Sequence, residues 1–176
     1  MKIGILGSGN VGGGLARLLA DAGHEVQTST RETLRETAEH GDAVILAVPG
    51  AAAAEVVSSV APLAGKVLVD ATNFGPGAQA LAELVPQANV VKAFNTSFAA
   101  IYDYSTKLEP PASHLWAGPE ETRGAVETLV RDVGFEPVYA GGIEKAADID
   151  AFARLNIGIA FEQGRGPFAY RFMTPS

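Results

Sequence analysis

The stretch that decides the fold is MKIGILGSGNVGGGLARLLADAGHEVQTSTRETLR, Met1 to Arg35. Lys2 to Leu6 is a short apolar run rich in branched residues, followed by Gly7-Ser8-Gly9-Asn10-Val11-Gly12. Val11, Leu15, Leu18, Leu19 and Ala22 then recur at helical spacing up to Gly23, and His24 to Thr30 reads as a second strand. Gly7 permits a tight turn out of the first strand, Gly9 lets the backbone approach a pyrophosphate, and Gly12 removes a Cβ where helix crosses strand. The free N–H groups and dipole of the helix start favour an anion. Strand, G-x-G-x-x-G, helix and strand in this order form the dinucleotide-binding fingerprint in its required context. The alternative is a glycine turn packed for structural reasons alone.

The end of the second strand bears on which nucleotide. An NAD site usually carries Asp or Glu there, roughly 20 residues beyond the glycines, to bond the ribose 2′-hydroxyl. Here the strand ends Thr28-Ser29-Thr30-Arg31, with no acid before Glu32. A helix expected over Arg31–His40 puts Arg35 one turn after Arg31 on the same face. Two hydroxyls and two guanidinium groups suit a 2′-phosphate, at roughly 1.5–3 kcal/mol per charge-assisted bond. The alternative is that Arg31 and Arg35 are solvated and pair with Glu32, Glu36 or Glu39.

At 176 residues the chain is one domain, or one domain with a small appendage. Its net charge of −7 argues against nucleic acid and anionic membranes as partners. With no cysteine there are no disulfides, thiolate metal sites or cysteine nucleophile, and His24, His40 and His114 lack metal-ligand spacing. The apolar stretches are broken well short of a membrane span. The fingerprint begins at residue 4, leaving no room for a targeting segment, so a cytoplasmic protein is the expectation.

Beyond Gly41, strands are expected over 43–48, 66–70 and 89–93, with helices over Ala51–Ala61 and Ala78–Leu84 between them. Strands alternating with helices at this spacing describe an α/β, Rossmann-type doubly wound parallel sheet. Pro49, Asn73 and Asn95 each fall at the carboxyl end of a strand, where ligands bind in such sheets. From residue 98 the character changes: a short helix and loop to Ala112, a strand over 113–117, a helix from Pro119 closed by Gly134, and a strand over 135–140. Ile143–Phe161 reads as a helix apolar over most of its surface, which calls for cover by the chain or a second subunit. Residues 1–97 are therefore read as the nucleotide-binding domain. Residues 98–176 are read as a βαβα extension that completes the sheet, shapes an acceptor site and makes a homodimer contact, 1–176 as one domain being the alternative.

The N-terminal stretch, Thr30-Arg31 with Arg35, Ala47-Val48-Pro49, Val90-Val91-Lys92-Ala93-Phe94-Asn95-Thr96, and Asp132 to Val138 with Gly141-Gly142 resemble the NADP oxidoreductase family typified by the NADPH:coenzyme F420 oxidoreductases. The Lys-Ala-Phe-Asn-Thr run is the more telling part, since any Rossmann protein could show the first. Membrane-anchored metalloreductases share parts of the pattern. The resemblance implies that Ser8, Gly9, Asn10 and Val11 hold the pyrophosphate, and that Thr30, Arg31 and Arg35 hold the 2′-phosphate. Val48 and Pro49 would line the floor beneath NADP(H), with Asn73, Ala93 and Asn95 near the nicotinamide and the acceptor. For Asn73 and Asn95, turn chemistry is the competing account.

Hydride transfer between cofactor rings needs no acid–base pair, and none is evident; His114 reads as structural. Phe98, Tyr102 and Tyr104 follow the Asn95 loop and could wall the acceptor site, or be core or dimer contacts. The implied acceptor is coenzyme F420, with FMN or FAD next. The region between Asn95 and Ser113 looks trimmed against the deazaflavin enzymes, which leaves a quinone or chelated ferric ion open. A non-catalytic NADPH-binding module and a reductase of a small carbon substrate are the competing functions.

Overall fold

The computed structural model describes residues 1–60 and 63–175. Five parallel strands form the main sheet: β1 (Lys2–Leu6), β2 (Glu25–Thr28), β3 (Ala43–Leu46), β4 (Val67–Asp70) and β5 (Asn89–Lys92), in the order β2-β1-β3-β4-β5. Helices α1 (Asn10–Asp21), α2 (Leu34–His40), α3 (Ala53–Val60) and α4 (Ala78–Leu84) make the crossovers. The strand order reverses between β1 and β3, so the crevice beyond their carboxyl ends is the topological switch point. This is the doubly wound α/β fold expected from the alternation of elements.

Each central strand feeds both faces of the sheet, which is why the runs are apolar throughout rather than alternating. Ile3, Ile5, Ile45, Val69 and Val91 face one core with Leu15 and Leu19 of α1. Leu6, Val44, Leu46, Leu68 and Val90 face the other with Val57 of α3 and Leu81 of α4. The remaining elements are β6 (Ser113–Trp116), α5 (Arg123–Asp132), β7 (Glu136–Tyr139) and α6 (Ala146–Ile157). α5 adds Val126, Leu129 and Val130 to the α1 side.

Several boundaries differ from expectation. The helix expected from Arg31 begins at Leu34. Thr33 Oγ1 accepts the Thr30 N–H at 2.9 Å and Thr30 Oγ1 accepts the Glu32 N–H at 3.3 Å, so hydroxyls replace the first helical bonds. Arg31 therefore lies in a turn before α2, while Arg35 lies in its first turn. Except for β1 and β4, the strands stop one or two residues short, and 98–112 holds two 3₁₀ turns, at Ala99–Ile101 and Ser105–Lys107. The helix after Pro49 starts as a 3₁₀ turn at Gly50, and its expected last residue, Ala61, lies outside the described residues. β6 and β7 pair parallel with each other and do not extend the main ladder. They join it at one antiparallel bridge, where Lys92 and Ala117 exchange N–H···O bonds of 2.7 and 3.0 Å. The long terminal helix divides into a 3₁₀ turn at Ile143–Lys145, α6, and a π turn at Gly158–Glu162. It is buried on one face only: Ala146, Ile149 and Ala153 are covered, while Leu155 and Phe161 are exposed.

The turn after β1 is closely packed against β3 and α1. Gly7 sits at φ +115°, and a Cβ there would lie 2.4 Å from Ala47 O. A Cβ on Gly12 would lie 2.1 Å from Gly7 O, so α1 can seat on β1 only with glycine at that position. Gly13, one residue on, would meet nothing closer than Ser8 O at 3.8 Å. Gly12→Ala is expected to lose about 1–3 kcal/mol or more in urea unfolding. Gly13→Ala should be neutral or gain up to about 1 kcal/mol from helix propensity. Equal effects at the two positions would show that the close approach to Gly7 is not what fixes α1.

Candidate functional site

The switch point opens into two cavities on either side of the glycine-rich turn. The first, about 330 Å³, is lined by Gly7, Ser8 and Gly9 after β1, Thr30 and Arg31 after β2, and Val48 and Pro49 after β3. The second, about 320 Å³, takes Val11 from the first turn of α1, Asn73 from beyond β4, Asn95 and Thr96 from beyond β5, and Asn156 from α6. Phe98 and Phe161, in edge contact at 5.7 Å between centroids, wall it. Phe74, 74% exposed and at φ +59°, stands at its lip.

Local chemistry prepares the first cavity for an anion. α1 has Gly9 at its N-cap, no side-chain cap and no acid in its first turn, so its leading N–H groups are unmatched by the helix itself. A Cβ on Gly9 would meet nothing within 4 Å, so no packing among the described residues calls for glycine there. Ser29 is buried and its Oγ accepts the Gly7 N–H at 3.2 Å, tying the turn to β2. Arg31 is exposed and has no hydrogen-bond or ion-pair partner among the described residues. This differs from the pairing with Glu32, Glu36 or Glu39 that was its alternative.

Not every expected residue converges. Arg35 is exposed on α2 and does not line the first cavity. Asn10 lines a third cavity, about 380 Å³, between α1 and residues 99–103. Gly12 is buried against Gly7, and Ala93 is consumed in the core. Tyr102 is likewise core, its hydroxyl donating to Phe94 O at 3.3 Å, and burial pushes that hydroxyl's pKa above its ordinary value. Tyr104 is exposed and lines neither of the first two cavities.

Behind the second cavity lies a charge cluster that sequence reasoning missed. Lys92, 1% exposed, donates from Nζ to Asp70 Oδ2 at 2.9 Å and Thr72 O at 2.7 Å, and lies 2.9 Å from Asp150 Oδ1. Asp150 Oδ1 also accepts Asn95 Nδ2 at 3.0 Å, and Asn95 Nδ2 lies 3.3 Å from Asn73 Oδ1. Asn73 Nδ2 returns to Asn95 O at 3.2 Å. The signal was present in part: Asp70 and Lys92 each end a buried apolar run and are register partners. Asp150 carried no signal, because only the docking of α6 brings it there.

The loop after β5 is held from its other side by His114. Phe94 occupies φ +70°, which costs a non-glycine residue about 1–3 kcal/mol unless its surroundings enforce it. Its N–H donates to His114 Nε2 at 2.6 Å. The opposite nitrogen, Nδ1, therefore carries the proton and donates to Ser97 Oγ at 2.9 Å. Burial pushes the His114 pKa down to about 3, so the ring is neutral and structural.

The family model described as NADP oxidoreductase, coenzyme F420-dependent, matches residues 2–39 and 27–74, the part that carries β1 to β4 and the first cavity. Metalloreductase STEAP3 of Rattus norvegicus is 27% identical over 174 residues, covering 85% of this chain, and the chain spans 36% of that relative's length. A candidate F420-dependent NADP-reductase from Arthrobacter sp. FB24 superposes with a TM-score of 0.85 at 24% identity, covering 99% of this chain and 100% of the other. A reductive aminase from Aspergillus terreus, solved with NADPH and ethyl levulinate, superposes at 0.71 with 23% identity, covering 93% and 62%. The two superpositions establish the shared fold, and with the family model the resemblance read from the sequence holds. No described helix is long and apolar enough to cross a membrane.

The lowered His114 pKa has a direct consequence for stability. Above about pH 6.5 the residue is neutral folded and unfolded; between there and about 3 the unfolded chain binds a proton that the fold excludes. His114 should therefore make stability fall as the pH drops through that window, by about 1.4 kcal/mol per unit. Urea unfolding at pH 7, 5 and 4 should give a steeper loss for wild type than for His114→Gln. Parallel losses would place His114 outside the acid response.

Proposed function

We propose that the chain is an NADP-dependent oxidoreductase that passes hydride between NADP(H) and a planar redox acceptor, coenzyme F420 or a flavin such as FMN or FAD. The observation that carries this reading is the pair of similar cavities flanking one glycine-rich turn at the switch point of the sheet. A dinucleotide bound by its pyrophosphate at that turn would extend one half into each. When bound, it supplies the hydride from its reduced nicotinamide.

The chain's own residues fit that group. The backbone from Ser8 to Val11 offers the helix start to the pyrophosphate, with Asn10 at the turn. Thr30 and the unpartnered Arg31 meet the 2′-phosphate, with Arg35 beyond them on α2, while Val48 and Pro49 form the floor. Asn73 and Asn95, with Ala93 behind them, orient the nicotinamide end, and Phe98 and Phe161 exclude water from the acceptor side. None of the described residues lining the second cavity is titratable, which suits hydride transfer without a protein acid. The same feature favours, as a second reading, a non-catalytic NADPH-binding module. The likeness to STEAP3 supports a ferric acceptor as a further alternative, and a small carbon substrate remains the remaining one.

Residues 1–97 would form the nucleotide-binding part, and 98–176 the acceptor side and a homodimer contact. Leu155 and Phe172 are exposed around α6, which supports that contact. Light scattering should give a mass near twice 18.2 kDa, falling to one chain for Leu155→Asp. A monomeric wild type would end the dimer reading.

The function is tested by following NADPH oxidation at its near-ultraviolet band with coenzyme F420, FMN, FAD and ferric chelate in turn. Turnover is expected with a deazaflavin or flavin, and little with NADH. Arg31→Ala should raise the KM for NADPH about ten- to a hundredfold and leave that for NADH nearly unchanged. Tight NADPH binding with no turnover would select the non-catalytic reading; equal weakening of both coenzymes would refute the 2′-phosphate assignment.

A further inference from the structure

Resting on that reading, the geometry points to Asn95 Oδ1 as the group that recognises the carboxamide N–H of the nicotinamide, and to Asp150 as the residue that fixes its direction. Asn95 is 5% exposed and lines the second cavity, yet its Oδ1 is buried without a hydrogen-bond partner among the described residues. A buried amide oxygen left unpaired costs about 1–3 kcal/mol, so a donor from a ligand is the natural complement.

Which end of this amide faces the ligand is settled by chemistry. Both partners of Nδ2, Asp150 Oδ1 at 3.0 Å and Asn73 Oδ1 at 3.3 Å, are acceptors. Turning the amide over would set oxygen against a carboxylate and a carbonyl, so the NH₂ group must face them and the oxygen is the end of the amide left unpaired. Asp150 is in turn held by Lys92 at 2.9 Å, and Asn73 by its own bond to Asn95 O at 3.2 Å. The orphaned acceptor is thus locked in place by α6, β5 and the loop after β4. Asp150 does not line the cavity; it acts through Asn95 and is a positioning residue.

The test compares NADP⁺ with its 3-acetylpyridine analogue, in which a methyl group replaces the carboxamide NH₂ and the carbonyl is kept. Calorimetry on the full chain should show wild type preferring NADP⁺ by about tenfold, the worth of one such bond. Asn95→Leu and Asn95→Ala should abolish that preference, and either serves provided it unfolds cooperatively. Asp150→Ala should shrink it with Asn95 still present. A merely structural role would lower melting temperature and both affinities together, leaving the ratio where it was. An unchanged ratio in the Asn95 variants overturns the recognition, and one unchanged in Asp150→Ala overturns the positioning role. A wild type that binds NADP⁺ without preferring it overturns the inference alone; one that binds neither coenzyme overturns the proposed function as well.

Discussion

A lysine ammonium group buried almost completely beneath the crevice has to be matched by oxygen or it unfolds the region around it. Lys92 finds three oxygens, from Asp70 on β4, Thr72 just beyond β4, and Asp150 on α6. Removing a partner from such a group typically costs about 3–5 kcal/mol, a large share of the roughly 5–15 kcal/mol by which a domain is stable. That demand pins the ends of β4 and β5 in register and draws α6 across them. The bridge between Lys92 and Ala117 then uses the backbone of the same residue to attach the second sheet. One residue therefore links the nucleotide-type half of the fold to its C-terminal part.

The loop after β5 inherits its shape from this arrangement. It is held on one side by the Asp150 and Asn73 contacts and on the other by neutral His114, which accepts from the Phe94 N–H and donates to Ser97. Phe94 can stay in a left-handed conformation because both flanks are fixed. Thr96 is anchored as well, its carbonyl accepting from Asn156 and its hydroxyl meeting Tyr170 at 2.8 Å. A cavity wall built this way presents Asn95 at a constant angle. The opposite cavity is looser: its Arg31 side chain is exposed and free of protein partners among the described residues.

Much of this was legible in the residues. Short apolar runs located four of the five strands, because a parallel sheet covered on both faces admits no polar alternation, and the more polar second strand was read from its place after the first helix. The spacing of Gly7, Gly9 and Gly12 located the turn, and the steric contacts at Gly7 and Gly12 explain why side chains are excluded there. The start of α2 was misplaced because two threonine hydroxyls capture backbone N–H groups over residues 30–33, and charge and periodicity do not register such local competition. The terminal helix was read as apolar over most of its surface, and which of those residues are covered was not legible, because its exposed leucine and phenylalanine look, in sequence, like its buried isoleucine and alanine.

The sequence by itself determined the class of sheet, the crevice at its switch point, and the positions of Pro49, Asn73 and Asn95 at strand ends, since these follow from periodicity and from what glycine alone can do. Only the tertiary structure decided which of those residues share a cavity, that Ala93 belongs to the core, that the last two strands form a separate pair, and that Asp150 joins Asn95 and Lys92 across a separation of more than fifty residues. The physical reason is that propensity and spacing act over one or two turns of chain. Pairing a buried charge depends instead on which distant surface happens to be packed against it.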